Sequence, residues 1–162
     1  YRENGTLLSK ATLIDGEPDG LAEMYYENGK LWHAINYKGG ERHGLSEMYY
    51  ENGLLSSGRN FKDGKEHGIS EMYYENGIKN FRDTYKDGKM DGLSEQYRKN
   101  GNLNLRGTYK DGEVDGLWEH YDNGKLIRKE NYKDGEFDGL REYFNEDGSI
   151  EKTETYKNGV LQ

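Results

Sequence analysis

A glutamate recurs at a nearly constant interval: Glu23, Glu47, Glu71, Glu95, Glu119 and Glu142. Carboxylates at regular spacing could act as acid and base, or hold a metal, if the fold made them converge. His43 and His67 stand one interval apart as well, while His33 and His120 are isolated in sequence. A lysine series, Lys38, Lys62, Lys86, Lys110, Lys133 and Lys157, could line a rim that attracts an acidic partner. No Ser, His and acid set has a distinguishing context, and no glycine-rich loop precedes a helix. Cysteine is absent, which removes thiolate metal sites and disulfides. The chain therefore reads as non-enzymatic, with no cofactor.

The interval comes from the chain as a whole, which repeats every 24 residues. Six copies occupy 20–43, 44–67, 68–91, 92–115, 116–138 and 139–162, after a partial repeat at 1–19. The copy at 116–138 is one residue short, just before its Asn-Gly. A fixed period of this size marks an array of small units, each burying its apolar side on its neighbours. The chain opens inside a repeat, because YRENG matches the YYENG of Tyr25 to Gly29. Upstream residues are expected to have been removed, so localisation stays open.

Five of the six copies carry both an Asn-Gly signal, as at Asn52-Gly53, and an Asp-Gly signal, as at Asp63-Gly64, and the copy at 20–43 has Gly39-Gly40 in place of Asp-Gly. These pairs accept the positive φ angles of tight hairpin turns. The segments between them are rich in Tyr, Leu, Ile and Thr, with no helical stripe. The reading is all-β: an elongated, twisted antiparallel meander of tandem β-hairpins, about 13 strands and roughly 60 Å long at ~4.8 Å per strand. The abundant glycines are read as turn residues.

Columns kept in every copy answer to the repeat geometry. Leu or Ile follows the opening glycine (Leu21, Leu45, Ile69, Leu93, Leu117, Leu140), and an aromatic stands two residues after each glutamate (Tyr25, Tyr49, Tyr73, Tyr97, Tyr121, Phe144). Spacing of two places leucine, glutamate and aromatic on one strand face. The second strand adds Leu31, Leu55, Leu103, Leu126 and Ile150, a column broken by Lys79, then Tyr37, Phe61, Tyr85, Tyr109, Tyr132 and Tyr156. A three-residue loop at Asn-Gly would bring both sets to that same face, whereas a two-residue loop would oppose them. The three-residue loop is expected, because loop length varies between copies while the columns persist.

The meander answers the question of convergence. Glutamates of adjacent copies would lie two strands apart, about 9.6 Å. That exceeds the reach of one shared cation and the separation of a hydrolytic carboxylate pair. The column is read as structural, paired with Lys, Arg or Tyr hydroxyls of neighbouring strands. The lysine series is read as a solvated edge neutralised by nearby acids.

The pattern YYENGxL, then YKDGxxxGL, resembles the variant MORN repeat over essentially the whole chain. Some bacterial members of that group are classed as antitoxins of the YwqK type. The resemblance implies consecutive hairpins with a groove along one face, an interaction or scaffolding role, and sometimes a link to membranes.

Composition narrows the partners. Net charge is −8 and the pI about 5.1, which argues against nucleic acid and anionic lipid. No apolar run approaches a membrane span. Fifteen tyrosines point to tyrosine as the main packing residue of a thin, repeated core. The positions that vary between copies carry the binding expectation. Met24, Met48 and Met72 alternate with the conserved columns, beside Tyr26, Tyr50 and Tyr74; Trp32 and Trp118 are unique to their copies. An apolar Met and aromatic strip opposite the main stack suits a protein partner. A protein-binding scaffold, of which an antitoxin facing a toxin is one form, is the leading expectation. An exported module binding carbohydrate or cell wall is the alternative. Unpaired terminal strands would add weak end-to-end self-association.

Overall fold

A computed structural model describes residues 1, 3 and 5–162. Arg2 and Asn4, within the YRENG start, lie outside the described residues. The elements among those described are all strands: β1 (Ser9–Ile14), β2 (Glu17–Tyr25), β3 (Leu31–Lys38), β4 (Glu41–Tyr49), β5 (Leu55–Lys62), β6 (Lys65–Tyr73), β7 (Lys79–Lys86), β8 (Lys89–Tyr97), β9 (Leu103–Lys110), β10 (Glu113–Val114), β11 (Gly116–Asp122), β12 (Lys125–Lys133), β13 (Glu136–Phe144), β14 (Ile150–Lys157) and β15 (Val160–Leu161). They form one open antiparallel sheet in sequence order. β10 and β11 are two parts of one strand interrupted at Asp115, so the count of 15 is close to the 13 expected.

Both turn signals operate as their chemistry requires. Asp63 and Gly64 have φ of 49° and 76°, and the pairs at 87, 111 and 134 repeat this, the geometry of a two-residue hairpin turn. At the other end, Tyr26 N donates to Lys30 O at 2.8 Å and Gly29 N to Tyr26 O at 3.1 Å. This is a three-residue loop closed by a left-handed glycine, as expected. The short copy drops one residue and uses a two-residue turn, with Asp122 opposite Lys125 and Asn123 at φ 48°.

Two register shifts per repeat were not foreseen, and they decide which side chains share a face. Met24 faces His33 while Tyr25 faces Leu31, leaving Trp32 as an inserted residue. Ser56, Asn80, Asn104, Ile127 and Glu151 are inserted at the equivalent places. Each such bulge flips the following side chains. The Leu31 column therefore shares a face with Leu21, Glu23 and Tyr25, but the Tyr37 column lies on the opposite one.

The second shift falls at the glycine opening each repeat. Gly44 and its equivalents Gly20, Gly68, Gly92, Gly116 and Gly139 have φ between 87° and 118°, and all but Gly116 lie at a shift in pairing with the strand before. These six glycines are bulge residues inside or at the edge of strands, which corrects their reading as turn residues. Asn36 offsets the disruption by donating to Leu45 O at 2.7 Å, as Asn60 does to Ile69 O and Asn131 to Leu140 O.

The two faces are called here the leucine face (Leu21, Glu23, Tyr25) and the methionine face (Ala22, Met24, Tyr37). Burial favours the methionine face, contrary to expectation. Its middle row holds Ile35 at 2% exposure, Ser46, Ser70, Trp118 and Glu130, whereas the five most exposed of the Leu21 column are 40–46% exposed. Only Ala34, Ile35 and Trp118 are buried apolar side chains among the described residues, so the core is indeed thin.

Trp118 occupies a column that is Ser46, Ser70 and Ser94 elsewhere. It fits because Gly107 lies beneath it: a Cβ on Gly107 would fall 2.1 Å from the indole. We predict that Gly107→Ala destabilises the chain by about 1–3 kcal/mol. Adding Trp118→Ser, which gives the serine found in three other copies, should remove most of that loss. Urea unfolding of the four-member cycle measures it; equal losses with and without the indole would contradict this packing.

Candidate functional site

The glutamate column lies on the leucine face and forms a lateral ladder of ion pairs. Lys79 Nζ reaches Glu71 at 2.6 Å; Arg82 stands between Glu71 at 3.6 Å and Glu95 at 3.5 Å; Arg106 lies 4.0 Å from Glu95. Glu23 pairs with Lys10. Tyr49, Tyr73 and Tyr121 hydroxyls donate to Glu47, Glu71 and Glu119. Burial, then the bond to Glu71, pushes the Tyr73 hydroxyl up to about 12. The carboxylates thus sit among cations and hydroxyls and do not converge.

The paired histidines have a structural place. Asp91 and Asp115 accept from the backbone N–H at the neighbouring turn, at 3.2 and 3.3 Å. His67 replaces aspartate in that position, with Nδ1 at 3.4 Å from Asp87 N, and His43 lies 3.3 Å from Asp63. The lysine series flanks the same turns. Lys38, Lys110 and Lys133 stand opposite glutamates, but Lys62 and Lys86 stand opposite Lys65 and Lys89, so the edge is not neutralised throughout.

The proposed binding residues divide into three groups. Met24, Met48 and Met72 do face away from the leucine column, and they join one lateral row. Its members, in spatial order, are Met24, His33, Met48, Ser57, Met72, Phe81, Gln96 and Leu105, then His120, Arg128, Tyr143 and Lys152. Met72 and Trp32 are each 39% exposed, Trp32 at its bulge beside Tyr26. Tyr26, Tyr50 and Tyr74 lie in the loops, where their hydroxyls donate to Tyr49, Tyr73 and Tyr97 carbonyls at 2.6, 2.6 and 2.9 Å. They stitch adjacent repeats together. Trp118, at 6% exposure, packs edge-on to Tyr109 and Tyr132; its burial removes it from the contact surface.

Sequence columns gave no sign of the ionic cluster around Glu130. This carboxylate is 2% exposed and holds His120 Nε2 at 2.6 Å, Arg128 Nε at 3.0 Å and Arg141 Nε at 2.9 Å. Tyr132 also donates to it. The column reads Ile35, Arg59, Asp83, Gly107, Glu130 and Glu154, so repetition could not flag it. Burial first, then the Arg128 guanidinium, lowers the His120 pKa more than Glu130 raises it. A neutral ring satisfies both neighbours: Nε2–H donates to Glu130, and Nδ1 accepts from Arg128 at 3.2 Å.

An open, one-layer array of antiparallel hairpins stitched repeat to repeat defines a β-hairpin repeat protein. The MORN repeat variant matches residues 18–38, 42–63, 66–87, 90–111, 114–134 and 137–158, and the chain belongs to that family. MORN repeats serve generally as scaffold modules that bind proteins or membranes. No curated protein matches the chain. A solved structure similar to it is the crystal structure of accessory secretory protein 1, 2 and 3 in Streptococcus pneumoniae, at 18% identity and a TM-score of 0.37. The match covers 74% of this chain and 23% of that one.

Because His120 is held neutral, the unfolded chain, with histidine near pH ~6.5, binds more protons than the folded chain just below that value. Stability should therefore fall as pH drops through about 6.5. The change in urea midpoint between pH 7.5 and 5.5 should shrink in His120→Gln. An unchanged slope would contradict the neutral-ring geometry.

Proposed function

We propose that this array is a non-enzymatic scaffold that binds another protein laid across its strands. The observation that carries this reading is the methionine row. From Met24 to Leu105 it offers three thioethers, an aromatic and a leucine, alternating in part with His33, Ser57 and Gln96, on a face that no second layer covers among the described residues. Methionine adapts its shape to a partner at low conformational cost, and apolar centres with polar margins are what protein interfaces present. Five of the six column carboxylates, Glu23, Glu47, Glu71, Glu95 and Glu119, are engaged by cations or hydroxyls. The hollow between Asp122 and Glu146 holds about 290 Å³, at the lower limit of small-molecule sites.

Antitoxin or immunity-type binding is one form this function takes, with a toxin as the partner. Carbohydrate binding has less support, since Trp118 is buried and leaves Trp32 as the exposed indole. Binding to the methionine row is tested with Met48→Lys and Met72→Lys together. Capture of a partner from the source organism should fall at least about tenfold, with an unaltered strand signal in circular dichroism. Undiminished capture by this folded variant would refute the assignment.

A further inference from the structure

Of 23 glycines, only Gly58 and Gly107 lack a positive φ. Backbone conformation therefore does not require glycine at either. Gly107 is explained by the indole of Trp118 lying against it. Gly58 is not explained from within the chain: a Cβ there would meet nothing within 4 Å. A strand-interior glycine weakens a sheet and often marks a place where another molecule approaches closely.

The position of Gly58 indicates what approaches. It stands on the leucine face, directly opposite Glu47 in β4 and Glu71 in β6. The same position in the next three repeats is Arg82, Arg106 and Lys129, each directly between two glutamates of the column. Arg82 bridges its two at 3.6 and 3.5 Å. The cation is missing at Gly58, as it is at Ala34 between Glu23 and Glu47, but of the two only Gly58 also lacks a Cβ. Glu47 accepts a hydrogen bond from Tyr49 but has no ion pair among the described residues. Leu45 and Ile69, each 40% exposed, stand beside the two glutamates.

We propose that the Gly58 gap is a socket for an arginine side chain of a protein partner, flanked in that partner by apolar residues. The guanidinium spans Glu47 and Glu71 as Arg82 spans Glu71 and Glu95. Arginine suits the socket better than lysine, because its planar fork can donate to two carboxylates at once. The inference rests on the reading of the array as a protein-binding scaffold, and it adds the leucine face to the contact surface.

The probe is the capped tripeptide acetyl-Leu-Arg-Leu-amide, titrated into the full chain while backbone amide resonances are followed. Saturable shifts centred on Glu47, Gly58 and Glu71 are expected, and the citrulline analogue should give none. Affinity should drop about tenfold in Glu47→Gln and in Gly58→Arg, but not in Glu146→Gln, which makes the same charge change as Glu47→Gln on an exposed loop. Gly58→Arg should keep its Tm or raise it by about 2–4 °C, because it supplies the missing cation from within. Equal binding by wild type and Gly58→Arg, shifts spread over the acidic surface, no binding at all, or a lowered Tm in Gly58→Arg would each overturn the socket. Partner capture through the methionine row is measured independently, so the scaffold reading can survive that outcome.

Discussion

Among the described residues the sheet is one layer thick, with nothing above or below to cover its side chains. Every buried group in this chain is therefore covered by neighbours along the same face. Antiparallel strands ~4.8 Å apart bring facing residues to ~5 Å, close enough for rings, carboxylates and guanidinium groups to shield one another laterally. Ile35 and Glu130 reach 2% exposure in this way. The ring sequence Tyr109, Trp118, Tyr132, Phe137 and Tyr156, with centroids 4.6 to 6.4 Å apart, is the aromatic form of the same device.

Lateral shielding works only while register is kept, and the bulges keep it. The inserted residue at Trp32 and its equivalents, together with the positive-φ glycine opening each repeat, decide which columns face which way. They recur in every complete repeat, so each new hairpin continues the existing rows. The variable residues are then free to differ within fixed rows. A methionine row, an ionic cluster at Glu130 and a vacancy at Gly58 are three sequences written onto one scaffold.

Much of this was legible beforehand. The period, the Asn-Gly and Asp-Gly turns and the structural character of the glutamates followed from turn chemistry and strand spacing. The division of faces did not follow, because a bulge is invisible to a count of alternate residues. Nothing at Trp32 or Ser56 marks an insertion, and Gly44 resembles any turn glycine. That single omission moved the Tyr37 column to the wrong face and made the leucine column look like the core. Trp118 and Glu130 were illegible for a different reason. Each answers to one local neighbour set, Gly107 for the indole and Arg128 with Arg141 for the carboxylate, and no other copy repeats it. Met24, Met48 and Met72 do lie opposite the leucine column, because they precede the bulge on their hairpin, but that face proved the more buried of the two.

If shielding is lateral and local, whole repeats are exchangeable units. The direct measurement is the folding of a chain lacking residues 68–91, in which His67 meets Gly92 as it meets Gly68 in the intact chain. The account predicts a shortened array that keeps the strand signal in circular dichroism and unfolds cooperatively, with protected amides on both sides of the junction. A chain left without protected amides on either side would show that stability comes from a core shared by all copies, and would contradict it.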